Sequence, residues 1–263
     1  MPRFAFKIEY DGSPFKGWQK QKNQLTVQGV LNNALEKLDQ SCTGITGAGR
    51  TDAGVHALGQ MGHADLKKEW KPNSLANAVS FHVKPYPISI TQVVNVRDDF
   101  HARFSASKRC YIYLFLVRSF PQVFSKARYW TIKNTLDISR MKKASDFLIG
   151  THDFQTFRSS LCQSKSSIKT IDKIEIKSTR GHIFNANEQI ISIRVEARSF
   201  LHNQVRSIVG SLFKVGNKTW RVERIKEILE MEDRTACGPV APPQGLYLEK
   251  ILYEGYHFEN LDQ

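Results

Sequence analysis

Ten contiguous residues, Gly47-Ala48-Gly49-Arg50-Thr51-Asp52-Ala53-Gly54-Val55-His56, set three glycines around a single carboxylate. Glycine adopts φ > 0 without strain and lets another backbone or a ligand approach closely. Between two stretches that read as strands, such a run must be a tight loop, and it holds Asp52 in a geometry that ordinary residues could not reach. An isolated Asp in a Gly-rich turn ordinarily accepts hydrogen bonds from its own backbone.

The flanking chain alternates short strands and helices. Phe4, Phe6, Ile8 and Tyr10 fall at period two, which predicts a half-buried strand over 3–10. A polar loop through Trp18 follows; this indole either stacks on a nucleobase or covers a core edge. Val27, Val30, Leu31, Ala34, Leu35 and Leu38 mark a helix over 26–40, with Thr26 as N-cap. A strand over Ala57–Leu66, a helix from Asn73 and a strand over Ile88–Val96 complete the first half. The run Arg109–Arg118 is apolar on both faces, which predicts a strand inside a sheet. Asp137 caps a further helix. Thr151–Ser167 is polar, rich in Phe and Ser and without period, and reads as an outward-facing insertion. Strands over Ile168–Lys177 and Gln189–Ala197, helices over 201–215 and around Val222–Leu229, and a last strand after Pro243 close the chain. The expected fold is α+β, in two subdomains covering 1–105 and 106–263.

Charge narrows the partner. The 263 residues carry a net charge of +13, which suits a polyanion. Residues 106–180 hold 15 Lys/Arg against 5 Asp/Glu, so the excess is concentrated. No apolar run is long enough for a membrane span, so nucleic acid is the preferred partner over a lipid surface. Cys42, Cys110, Cys162 and Cys237 form no paired spacing, which argues against both zinc and a disulfide framework. The first residues, MPRFA, lack an apolar signal core, and a cytoplasmic location is expected.

GAGRTDAGVH resembles the catalytic loop of the tRNA pseudouridine synthase A family. YDGSPFKGWQKQ, FHARFSA, SFLHNQVRSIVG and APPQGLYL resemble four further motifs of that family, in the same order along the chain. The resemblance implies two related subdomains with mainly antiparallel or mixed sheets, joined in one continuous sheet flanked by helices, with an active-site cleft between them. It implies a homodimer with tRNA across both subunits, and uridine isomerisation in the anticodon stem-loop at tRNA positions 38, 39 and 40. Gln204, where the family usually has Met, and Ser80–Ile90 depart from its pattern.

By the same resemblance Asp52 is the catalytic residue. A carboxylate can attack C1′ or C6 of uridine, or remove a proton, without metal or redox chemistry; the sequence leaves these routes open. Arg50 pairs with Asp52 or fills the space of a flipped base. Tyr111 stacks on the target base, Arg206 pairs with the catalytic carboxylate, and Leu246 packs near the base. Arg103 and His101 are candidate RNA-backbone contacts. His101 has no partner at metal spacing, so neither metal nor cofactor is expected.

A non-catalytic RNA binder would fit the charge and the aromatics equally, but would not need a carboxylate in a basic setting. A zinc deaminase would need HxE with PCxxC, and a phosphate loop would need a Gly-Lys-Ser/Thr ending. The chain has none of these.

Overall fold

The computed structural model describes residues 1–121, 123, 126–182, 185–256 and 258. The elements run β1 (Arg3–Tyr10), α1 (Val27–Leu38), β2 (Thr46–Gly47), β3 (His56–Asp65), α2 (Pro72–His82), β4 (Ile88–Val96), β5 (Ala106–Val117), β6 (Trp130–Ile132), α3 (Ile138–Asp146), β7 (Gly150–Asp153), β8 (Ile168–His182), β9 (Asn185–Ala197), α4 (Gln204–Gly216), α5 (Arg224–Glu230) and β10 (Leu246–Tyr253). The fold is α+β. It forms two compact units, Met1–Arg109 with Tyr247–Gln263, and Cys110–Leu246.

In the first unit the strand order is β4-β1-β3-β10, with β2 on β3. β1 is antiparallel to both β3 and β4. Its alternating Phe4, Phe6, Ile8 and Tyr10 are buried as expected, and the small Ala5 between them is buried too. Thr26 caps α1 by accepting the Gly29 N–H at 3.3 Å, and Val27, Val30, Leu31, Ala34 and Leu35 form its buried face. The helix stops at Leu38. The Asp39 carboxylate beyond it accepts from the Ser41 hydroxyl and from the Ser41 and Lys67 N–H groups. These bonds, that of the hydroxyl foremost, hold its pKa down to about 2.

β10 runs parallel to β3, with Tyr247 opposite His56 and Leu248 opposite Ala57. The sequence reading placed one boundary at 105/106 and left this strand in the C-terminal part. From Tyr247 on, β10 instead belongs to the first unit. A pairing between strands so far apart leaves no local trace in either strand.

In the second unit β8 is antiparallel to β7 and β9, and β6 runs parallel to β5. Asp137 caps α3 through the Arg140 N–H at 3.1 Å. Met141, Ala144, Ile208, Val209 and Leu212 are fully buried on α3 and α4. One expectation fails here. Thr151–Ser167 is not wholly an outward insertion, because its start belongs to β7 and Phe154, Thr156 and Phe157 are completely buried. The Thr156 hydroxyl donates to the Ile228 carbonyl at 2.6 Å. A four-residue strand followed by one turn is too short to show a period. Among the described residues no helix is long and apolar enough to cross a membrane.

Candidate active site

The glycine-rich run leaves β2 at Gly47 and enters β3 at His56. Nearly every peptide in between is fastened to a neighbour. The Ala48 N–H donates to the Met61 carbonyl at 2.7 Å. The Gln60 side-chain amide donates to the Gly49 carbonyl at 2.9 Å. The Thr51 carbonyl accepts from Trp18 N–H at 3.0 Å, and Asp52's carbonyl from Val55 N–H at 3.1 Å. The Gly54 N–H reaches the Phe15 carbonyl at 3.3 Å. Beneath the loop, Tyr10 Oη and Thr51 Oγ1 share a buried hydrogen bond of 2.8 Å. Burial raises the Tyr10 phenol's pKa, so it stays protonated and available to this bond.

Close approach explains two glycines. A Cβ on Gly12 would sit 2.0 Å from the Val55 carbonyl oxygen, and one on Gly47 would sit 2.5 Å from the Trp18 indole. Trp18 is therefore a buried floor of the loop, which resolves the earlier alternatives in favour of the core. Gly54 has φ +76. Gly49 differs, with open space where its Cβ would be. On this frame Asp52 is half-buried and Arg50 exposed.

The FHARFSA turn lies in the same unit. His101 Nδ1 accepts the N–H groups of Arg103 and Phe104 at 3.2 and 3.3 Å, and its ring lies 4.4 Å from that of Phe104. His101 is thus committed to shaping the turn. Arg103 and Phe104 point to solvent, Phe104 at 72% exposure. His63 beneath them accepts the Ala102 N–H through Nδ1 at 3.1 Å. Its pKa falls to about 4, chiefly through burial, with the neighbouring His101 and Arg3 adding to the shift.

The second unit holds the remaining expected residues. Tyr111 is half-buried on β5, its ring edge-on to Phe200 at 5.3 Å. Arg206 on α4 is gripped twice by Ala241: its Nε donates to that carbonyl at 2.7 Å, and its own carbonyl accepts the Ala241 N–H at 3.1 Å. A further bond from Arg206 Nη1 reaches Asn203 Oδ1 at 3.0 Å. Leu246 is buried at the start of β10. Next to it Gly245 packs against Tyr113, whose phenol donates to the Pro242 carbonyl at 2.8 Å. Asp52, Arg50, His101 and Arg103 belong to the first unit and Tyr111, Arg206 and Leu246 to the second.

A family model described as tRNA pseudouridine synthase matches residues 7–105 and 144–254. The chain belongs to the tRNA pseudouridine synthase family.

Curated relatives agree over nearly the whole length. A tRNA pseudouridine synthase A of Dinoroseobacter shibae is 49% identical over 96% of this chain and 97% of its own. One from Ruegeria is 47% identical over 96% of each chain, and one from Paracoccus denitrificans is 48% identical over 97% of each. A solved Cbf5-Nop10-Gar1 complex aligns with 80% of this chain and 54% of the other at 11% identity and TM-score 0.31, a likeness too distant to bear on the fold.

The two segments matched by the tRNA pseudouridine synthase model include Asp52, Arg206 and Leu246, while Tyr111 lies in the interval outside them. Sequence reasoning overlooked three supports of the loop. Tyr10 read as one more strand aromatic, Gln60 as a polar residue within a strand, and Arg109 as the first residue of a strand. The Arg109 Nη2 donates to the Ala48 carbonyl at 2.9 Å and to the Arg103 carbonyl at 2.7 Å. Among the described residues no cluster of His, Cys, Asp or Glu is placed to hold a metal ion.

Proposed function

We propose that this protein isomerises uridine to pseudouridine in the anticodon stem-loop of tRNA, at positions 38, 39 and 40, with Asp52 as the catalytic residue. The observation that carries the reading is the fastened loop: its backbone is tied at Ala48, Gly49, Thr51, Asp52 and Gly54, and it presents a half-buried carboxylate beside the exposed Arg50. Preorganisation of this kind places a reactive group without an ordering cost during the reaction.

The reaction breaks the N1–C1′ bond of uridine, turns the uracil and joins C5 to C1′. The C5 proton is released, and N1 gains a proton. Asp52 serves as nucleophile at C1′ or C6, or as the base that takes the C5 proton. A uridine in a stacked stem must first leave its stack. Tyr111 supplies an aromatic face for the extruded base, Arg50 pairs with Asp52 or fills the vacated space, Arg206 is the carboxylate's proposed ion-pair partner, and Leu246 packs near the uracil. Arg103 and His101 belong to the RNA-facing surface, Arg103 as a phosphate contact and His101 as the cap of its turn. We place the enzyme in the cytoplasm, as a homodimer with tRNA across both subunits, needing neither metal nor cofactor.

The test is tritium release from tRNA transcript labelled at uracil C5, for wild type and Asp52→Asn, with RNA binding measured alongside. Release by wild type and none by a mutant that still binds supports the reading. Binding by both with release by neither makes the protein an RNA binder on an enzyme scaffold.

A further inference from the structure

Arg109 stands where two otherwise separate features of the first unit meet. From one nitrogen, Nη2, it donates to the carbonyl of Ala48, at the entry of the catalytic loop, and to that of Arg103, in the exposed turn. A guanidinium is always charged and rigidly planar, so it holds two carbonyls at a fixed separation better than a neutral donor would.

The position of the Ala48 contact matters. The next residue, Gly49, has nothing within 4 Å of where a Cβ would be, so no contact at that point helps to hold it. The carbonyls on either side of its nitrogen and carbon are instead held by side chains, Ala48's by Arg109 and Gly49's by Gln60. Beyond them lie only Arg50 and Thr51 before Asp52. The far side of the loop is held by backbone groups that survive any side-chain change.

We propose that Arg109 is a positioning residue for the isomerisation: it fixes the Asp52 loop in register with the exposed turn Arg103–Phe104. The inference rests on Asp52 being the catalytic residue. In a merely structural role, stability, RNA affinity and rate would fall together. In a positioning role the chemical step falls while RNA binding holds, and a residue keeping a charged donor at that point restores it.

The experiment compares Arg109→Met, Arg109→Gln and Arg109→Lys with wild type in tritium release from C5-labelled tRNA. kcat, KM and tRNA Kd are measured for each, and the thermal midpoint checks folding. The expected result is a fall in kcat of about tenfold or more for Arg109→Met and Arg109→Gln, with Kd and KM within about threefold of wild type. Arg109→Lys recovers at least about a third of the rate. Rates within about threefold of wild type for both neutral variants overturn the proposal. So do parallel losses of rate and affinity that Lys does not relieve. If Arg109→Met does not fold, the Gln and Lys pair decides by the same criteria. A wild type that releases no label sinks the isomerase reading first, and the role of Arg109 with it.

Discussion

The phenol of Tyr10 and the hydroxyl of Thr51 share a buried hydrogen bond of 2.8 Å, so the last residue of the first strand supports the residue next to the candidate catalytic carboxylate. Thr51 is only 6% exposed and Tyr10 3%. Neither hydroxyl has ready access to water if the other is removed.

This pair yields a stability cycle. Tyr10→Phe should cost about 1–3 kcal/mol by leaving the buried Thr51 hydroxyl unsatisfied, and Thr51→Val less, because the Gln60 side chain still bonds the Tyr10 phenol. The double variant should cost clearly less than the sum, because both polar groups are then gone. Urea unfolding of the four proteins measures the coupling. Strict additivity would show that the bond contributes nothing.

Gly12, packed against the loop, and Gly49 within it should respond differently to a methyl group. Gly12→Ala drives a Cβ into the Val55 carbonyl, a backbone neighbour that cannot rotate away, and should cost about 1–3 kcal/mol or more along with most of the activity. Gly49→Ala meets open space and should fold with a thermal midpoint close to wild type. Equal damage from the two would contradict the packing described for this loop.

Acid should weaken the first unit through His63. Its folded-state pKa, about 4, lies below the value of about 6.5 usual for an unfolded chain. The unfolded state therefore binds more protons between those values, and stability falls as pH drops through that window. Above pH 7 the residue adds no pH dependence. His63→Asn keeps an acceptor for the Ala102 N–H and should flatten the slope of the urea midpoint between pH 4 and 7. An unchanged slope would remove His63 from the account.

Arg103 should act on RNA affinity and not on folding. Its side chain is exposed, so Arg103→Ala should leave stability within about 0.5 kcal/mol of wild type. If it contacts a phosphate, binding should weaken and the slope of log K against log salt should shrink by about one. A filter-binding salt titration reads this directly, and an unchanged slope excludes a phosphate contact.

Much of the fold was legible in local pattern. The period-two run Phe4–Tyr10, the stripe Val27–Leu35 and the caps Thr26 and Asp137 are short-range features, and each appears where its pattern put it. The same logic missed β7 because Gly150–Asp153 is too short to carry a period. It also mistook α4's start: the helix begins at Gln204, whose buried side chain accepts the Leu201 N–H at 2.8 Å, a non-periodic contact.

The sequence by itself determined the chemistry on offer, since a ten-residue run with one carboxylate, and four further motifs in order, are covalent facts that need no fold to be read. Tertiary structure alone decided what holds that carboxylate. Tyr10, Gln60 and Arg109 reach the loop across 41, 11 and 61 residues of chain, and β10 joins β3 from the other end of the molecule. Such contacts form because burying polar backbone requires partners wherever the packed chain brings them. Their sequence positions follow no period, and a one-dimensional reading has no signal for them.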